Sequence, residues 1–272
     1  MNQGAIQHIT SLTNDRIKAI RALDMRKERK ETGLFVAEGA AIIETARQHG
    51  FKPKTLVYQI NMEQTPVHRA LISASLASGA DVLEVTEVVL AKLAAKDNPQ
   101  AMLAVFEQRW ANAPVAASVE KAGCWLALEE IRDPGNLGTI IRTADAVGAS
   151  GIILIGNCTD AFSHEAVRAT MGSIFSVPLV RMVRDEFLSW RAGWLGDVIG
   201  LHLDGREDLR KATYKEPVLI VMGSEGPGLS ESLARTCSKM VKIPMSGGLD
   251  SLNLAVATAL TLYHVRASHL SI

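Results

Sequence analysis

Three stretches of this 272-residue chain combine glycine, which lets backbone approach a ligand closely, with polar side chains able to hold one. The first, Asp133-Pro134-Gly135-Asn136-Leu137-Gly138-Thr139-Ile140-Ile141-Arg142, follows a strand signal and opens a helix. Pro134 and Gly135 suit the turn, Asn136 suits the N-cap, and Arg142 leaves the helix nearly two turns later. A capped helix with a surface arginine accounts for these residues, and so does a ligand site. The second stretch, Met222-Gly223-Ser224-Glu225-Gly226-Pro227-Gly228-Leu229, puts three glycines at the carboxyl end of a strand. Glu225 there is either an exposed charge or the reader of a polar ligand. The glycine spacing fits neither a dinucleotide fingerprint nor a Gly-Lys-Ser/Thr phosphate loop. The third stretch runs from Ile243-Pro244-Met245 to Ser251-Leu252-Asn253. Ser251 is expected to cap the last helix and Asn253 to lie buried in its first turn, where an unpaired amide costs about 1–3 kcal/mol. All three loops fall at one end of a parallel sheet, where open α/β sheets bind ligands.

The elements that must carry these loops follow from hydrophobic periodicity. Strands expected at 34–37, 55–60, 81–85 and 102–107 alternate with helices at 40–49, 67–78 and 87–95. They make a small α/β domain preceded by a basic helix. A stretch without clean period, around 109–118, contains a proline and marks a linker. Beyond it, strands at 125–129, 151–155, 176–181, 198–203, 218–222 and 240–243 alternate with helices at 137–147, 164–171, 184–195, 231–237 and 252–268. That alternation implies a mostly parallel sheet covered on both faces. The expected division is 1–107, a linker at 108–121, and 122–272. The last helix is apolar round nearly its whole circumference, so a second subunit is expected to cover one face.

Composition narrows the class. With 47% hydrophobic residues and no net charge, the chain can bury a core and lacks a wholesale basic coat. Positive charge is local instead: Arg16, Lys18, Arg21, Arg26, Lys27, Arg29 and Lys30 crowd one segment. This is a solvated helix face or a phosphate-binding patch. No apolar run approaches the ~18 residues of a membrane span, and residues 1–5 show no export signal. Cys124, Cys158 and Cys237 have neither disulfide nor metal spacing. A cytoplasmic protein with reduced thiols and no metal is expected.

Taken together, Asn136-Leu137-Gly138-Thr139-Ile140-Ile141-Arg142-Thr143-Ala144, Met222 to Leu229, and Ile243-Pro244-Met245 with Ser251-Leu252-Asn253 resemble the three motifs of the SpoU (TrmH) family of RNA ribose 2′-O-methyltransferases, in the SPOUT superfamily. Nearer the N-terminus, Ile9-Thr10-Ser11, Asn14, Lys18, Arg26-Lys27 and Gly33-Leu34-Phe35-Val36-Ala37-Glu38-Gly39 resemble the RNA-binding domain fused to many of these enzymes, itself similar to kink-turn-binding ribosomal proteins. The resemblance implies an α/β chain in which a smaller RNA-binding domain precedes a parallel-sheet methyltransferase domain with a deep trefoil knot. It implies a homodimer built through the C-terminal domain, its final helix in the interface. S-adenosylmethionine is implied at Gly223, Ile243 and Leu252. Arg142, Asn136, Glu225, Ser251 and Asn253 are implied as the catalytic set, and Lys18, Arg26, Lys27 and Lys30 as RNA contacts. Arginine is a poor base at neutral pH, so the role implied for Arg142 is electrostatic, toward a phosphate and a developing alkoxide. Ribosomal RNA is the expected substrate, because the extra N-terminal domain resembles those of rRNA-modifying members. A tRNA ribose methyltransferase and a non-catalytic RNA-binding protein of the same fold are the alternatives; the intact polar residues of the motifs argue against the latter.

Overall fold

The structure, a computed structural model, describes residues 6–62, 65–94, 100–203, 205–248 and 251–271. The expected absence of an export signal at residues 1–5, the helix end at Ala95 and residues 249–250 of the third loop lie outside them. The chain divides into two compact units, Met1–Gln108 with Asp160–Phe175, and Arg109–Thr159 with Ser176–Ile272.

The first unit begins β1 (Ile6–Ile9), α1 (Asp15–Ala22), α2 (Arg26–Thr32), β2 (Leu34–Glu38) and α3 (Ala40–Gln48). It continues β3 (Thr55–Gln59), α4 (Pro66–Ala77), β4 (Asp81–Val85), α5 (Glu87–Leu93) and β5 (Met102–Glu107). Its sheet has the order β1-β4-β3-β5-β2, with β5 antiparallel to both neighbours and the other pairs parallel. Strand β1 carries no apolar alternation; three of its four residues are exposed, and only pairing with β4 makes it a strand. The expected single basic helix is two helices, because Leu23 turns inward, 4% exposed. Arg29 stabilises that break: its guanidinium donates to the carbonyls of Leu23 (2.7 Å) and Asp24 (2.9 Å), which the end of α1 leaves without helical partners. Arg29 is therefore buried and no part of a surface patch.

The second unit begins with the stretch expected to be a linker. Its irregular backbone is instead packed: Ala116 is buried, the Trp190 indole donates to the Pro114 carbonyl at 2.6 Å, and Arg181 stacks over Trp110. Then come β6 (Cys124–Glu129), α6 (Pro134–Ala146) and β7 (Gly151–Ile155). After α7 (His164–Ala169), which counts with the first unit, follow β8 (Leu179–Met182), α8 (Arg184–Arg191), β9 (Val198–Leu201), β10 (Glu207–Asp208) and β11 (Val218–Met222). The chain closes with α9 (Glu231–Ala234), β12 (Lys239–Lys242) and α10 (Leu254–Arg266). All pairs in the sheet β10-β12-β9-β11-β6-β7-β8 are parallel. Strands β6, β7 and β11 are buried at every residue, which their near-continuous apolar runs require. Among the described residues no helix is long and apolar enough to cross a membrane.

The segment Asp160–Phe175 was expected within one C-terminal domain, yet it completes the first unit's core. Phe162 packs on Phe35 at 4.8 Å between ring centroids, and Phe175 packs on Phe106 and Phe51 at 4.9 and 4.8 Å. Asp160 accepts the Arg29 Nε–H at 2.8 Å in a pair that is almost wholly desolvated. Local periodicity cannot show this, because each contact joins residues far apart in the chain. Replacing Arg29 with methionine strands Asp160 and two carbonyls, and is expected to cost about 3–5 kcal/mol. Urea unfolding followed by circular dichroism measures the loss. Adding Asp160→Asn should recover part of it; equal losses in the single and double variants would mean that the pairing contributes nothing.

Candidate functional site

The chain leaves β6 toward β7 on one side and leaves β11 toward β12 on the other, although β6 and β11 are neighbours. Their carboxyl ends thus bound a crevice at a point where strand order reverses, the place where parallel sheets take ligands. A cleft of about 470 Å³ lies beside it, on the β9 and β12 side of β11, formed by the ends of β9, β11 and β12 and the start of α10. Leu201, Met222, Val241, Ile243, Met245 and Leu252 give it apolar walls. Glu225, Ser251 and Asn253 supply polar groups, and Gly223, Gly226 and Gly228 supply bare backbone.

A directional chain of hydrogen bonds ties the three motif loops together. The Asn136 side chain donates through Nδ2 to Glu225 Oε1 at 3.1 Å. Asn253 donates through Nδ2 to Asn136 Oδ1 at 3.0 Å, and its own Oδ1 accepts from the Ala255 and Val256 amides. An ionised carboxylate only accepts, so Asn136 must turn its NH2 group to Glu225 and its oxygen to Asn253. Asn253 must in turn face its oxygen to the first turn of α10. The Arg132 backbone N–H adds a second bond to Glu225, at 3.3 Å.

Two cap expectations are corrected by this arrangement. Asp133, not Asn136, caps α6, accepting from the Asn136 backbone N–H at 2.6 Å. The helix begins at Pro134, which needs no amide partner there, and the Asn136 side chain is freed for the network. Asn253, not Ser251, caps α10, and it is exposed rather than buried. Ser251 lines the cleft beside it.

Gly223 has a reason of its own to be glycine. A Cβ there would sit 2.0 Å from the Gly228 carbonyl carbon, because the loop folds back on itself, closed by the Gly228 N–H to Ser224 carbonyl bond. Gly226 and Gly228 take left-handed backbone, at φ 89° and 73°. A larger residue at Gly223 would therefore disrupt the loop before any ligand arrived. Arg142 lies exposed on α6, outside the cleft lining, its side chain with no hydrogen bond or ion pair among the described residues. Ile243 and Leu252 line the cleft.

The basic residues singled out near the N-terminus belong to the first unit. Lys18, Arg26, Lys27 and Lys30 are all exposed, Lys18 pairing with Asp15 and Lys27 with Glu31. Among the described residues no cluster of His, Cys, Asp and Glu is arranged to hold a metal ion. Sequence reasoning missed two acids near the site: Asp133, part of the first stretch but given no role, and Glu129, whose only signal is its place at a strand end.

Residues 123–263 match the SpoU rRNA Methylase family model, and residues 14–104 match the MRM3-like substrate binding domain. The 23S rRNA (guanosine(2553)-2′-O)-methyltransferase RlmP of Bacillus subtilis is 28% identical over 96% of this chain and 100% of its own. The 23S rRNA (uridine(2479)-2′-O)-methyltransferase of Streptomyces viridochromogenes is 31% identical over 98% of this chain and 94% of its own. The crystal structure of an AdoMet-bound rRNA methyltransferase from Sinorhizobium meliloti superposes with a TM-score of 0.89 at 45% identity, covering 98% of this chain and 99% of that one.

The hydrogen-bond network also sets the charge of Glu225. Partial burial pushes its carboxyl up, but the Asn136 side chain and the amides of residues 225, 132 and 133 outweigh it and hold the pKa below the ordinary glutamate value. A carboxyl depressed in the fold stabilises it above the ordinary carboxylate range, and that contribution is lost as pH falls through the lowered pKa. Asn136→Ala removes the largest lowering contact and leaves the burial. Carbon-13 NMR of the Glu225 carboxyl should then show its midpoint rising. An unmoved midpoint would separate Asn136 from the Glu225 charge.

Proposed function

The chain belongs to the SpoU rRNA methylase family, and from that premise we propose that it transfers a methyl group from S-adenosylmethionine to a ribose 2′-hydroxyl of ribosomal RNA. The cleft at the carboxyl ends of β9, β11 and β12 carries the reading. Its apolar walls suit the flat adenine and the thioether carbons, and the bare loop backbone offers hydrogen bonds to the purine edge. The ionised Glu225 at its wall favours a ligand that carries positive charge. Gly223, Ile243 and Leu252 would hold the cofactor, which supplies an electrophilic methyl group on a cationic sulfur.

The protein's own share of the reaction is placement and charge. Holding a ribose hydroxyl near the methyl group in attack geometry supplies several kcal/mol of the barrier, on the order of 7–11 in the best-oriented cases. A guanidinium is a poor base, so Arg142 attracts the target phosphate and favours the developing alkoxide instead of taking the proton. The Asn253–Asn136–Glu225 chain holds the first turn of α6 against the cleft and so fixes the helix that carries Arg142. Ser251, in the cleft wall, would orient the nucleotide.

Three further features support the same reading. After β9 the chain runs to the outer edge as β10 and returns to the start of β9, where Asp197 and Lys215 bond through backbone and side chain. Strand β12 then pairs between β9 and β10, a strand order that supports the expected trefoil knot. On α10, Val256, Leu260 and Tyr263 are about half exposed and share one face. One face of the helix is thus open in a single chain, as the expectation of a covering subunit requires; a second copy would cover the stripe as a homodimer. The free cysteines, two of them buried, suit the reducing cytoplasm. Ribosomal RNA is preferred to transfer RNA because two relatives matched over nearly their whole length are named for 23S rRNA, and the first unit matches a substrate-binding domain.

Arg142→Ala should leave S-adenosylmethionine affinity nearly unchanged, because Arg142 stands outside the cleft. Single-turnover methylation should fall by about 10²–10³, the scale of one lost preorganised electrostatic group. Arg142→Lys should rescue poorly, lacking the planar fork. Near-normal turnover in Arg142→Ala would remove that residue from the mechanism.

RNA affinity is expected to come from Lys18, Arg26, Lys27 and Lys30 on the first unit. Replacing all four with glutamine should weaken binding and flatten the dependence of log affinity on log salt by roughly 0.7–0.9 for each phosphate no longer neutralised. An unchanged salt slope in filter-binding titrations would exclude these residues from the interface.

A further inference from the structure

Glu129 ends β6 as a buried carboxylate, and it is not among the residues lining the cleft. Such a charge must be fully partnered or its burial is costly. Its Oε2 accepts the Ser230 backbone N–H at 2.9 Å. Its Oε1 accepts Nε of Arg184, the first residue of α8, at 3.1 Å, with Nη2 of the same guanidinium in ion-pair range at 3.0 Å. Ser230 is where the glycine-rich loop stops: its hydroxyl caps α9 by accepting the Leu233 N–H. The loop from Gly223 to Leu229 is therefore held at two points. Glu225 anchors one part of it to Arg132 and Asn136, and Glu129 anchors its exit. With three glycines between residues 223 and 228, the loop has little stiffness of its own, so these anchors decide its shape.

We propose that Glu129 is a positioning residue for cofactor binding. By holding the Ser230 N–H it fixes the exit of the glycine-rich loop, and thereby the wall of the cleft, without touching the ligand. The inference rests on the reading of that cleft as the S-adenosylmethionine site. Arg184 neutralises the carboxylate, and the Ser230 bond is the one that sets the loop.

Glu129→Gln keeps the shape but turns one acceptor into a donor, so either Ser230 or Arg184 must face an NH2 group. In calorimetric titration the dissociation constant for S-adenosylmethionine should rise about tenfold or more, the scale of one hydrogen bond to a charged group. The Michaelis constant for the cofactor should rise with it, while the saturated turnover number changes by less than about threefold. In the protein without cofactor, hydrogen exchange at residues 223–230 should accelerate. Arg184→Gln retains a donor to Glu129 and leaves the Ser230 bond in place, so affinity should stay within about threefold of the parent. Should Glu129→Gln fail to fold, Ser230→Pro and Ser230→Ala make the same test. Both lose the cap, but only proline removes the N–H, at a φ of −62° that its ring adopts. Weaker binding in Ser230→Pro than in Ser230→Ala supports the proposal. Unchanged affinity and unchanged loop exchange in folded Glu129→Gln, or equal affinities of the two Ser230 variants, would overturn it. Failure of the parent protein to bind S-adenosylmethionine would overturn the reading of the cleft itself, a separate outcome.

Discussion

An ionised carboxylate can only accept hydrogen bonds, and from that asymmetry at Glu225 the orientation of the whole site follows. Asn136 must offer its NH2 group, Asn253 must then offer its own, and the remaining oxygen of Asn253 falls on the free amides at the start of α10. The last helix, the first-motif helix and the glycine-rich loop are thus set against one another by three side chains in a fixed polarity. Neutralising Glu225 would remove the reason for each amide to face as it does. The positive end of the α10 dipole lies at the Asn253 end of the chain and the negative charge at the Glu225 end, so the series is also electrostatically aligned.

The parallel sheet makes this arrangement available. Strands β6 and β11 sit side by side but send their chains to opposite flanks, which opens a crevice no loop has to bridge. Their residues are buried on both faces, so the strand ends are held rigidly, and each fully buried Leu or Ile contributes about 1.5–3 kcal/mol. Flexible glycine-rich backbone can then be used at the ligand because the framework beneath it is stiff. The fold also places a buried carboxylate, Glu129, where β6 gives way to the first-motif loop.

Buried charge recurs wherever the chain departs from its local pattern. Arg29 fastens the turn between α1 and α2 and receives Asp160 from a distant part of the chain. Arg184 meets Glu129 across 55 residues of sequence. Pairs of this kind specify which segments belong together more sharply than apolar contacts do, because a stranded partner is so costly. The phenylalanines beside Asp160 supply the bulk of the packing, whereas the ion pair supplies its register.

Strand and helix positions were legible in the sequence because they depend on neighbours a few residues away. Strands at 81–85, 102–107, 151–155 and 218–222 fall where apolar runs end in turn residues, and the three motif loops follow from those boundaries. The polarity of α1 and α2 was legible too, but the burial of Arg29 was not, since its carbonyl and carboxylate partners exist only after the chain folds back. The same reason separates Asn136 and Asn253 as motif residues, visible in the sequence, from their actual duties. Which of two adjacent polar residues caps a helix depends on what else each can reach, and both caps were decided by Glu225, 89 residues from Asn136 and linked to Asn253 only through it. The assignment of Asp160–Phe175 to the first unit, the open stripe on α10 and the anchoring of Ser230 by Glu129 are likewise tertiary facts. Local sequence sets the periods of helix and strand; only the folded chain can bring a buried polar group to its partner.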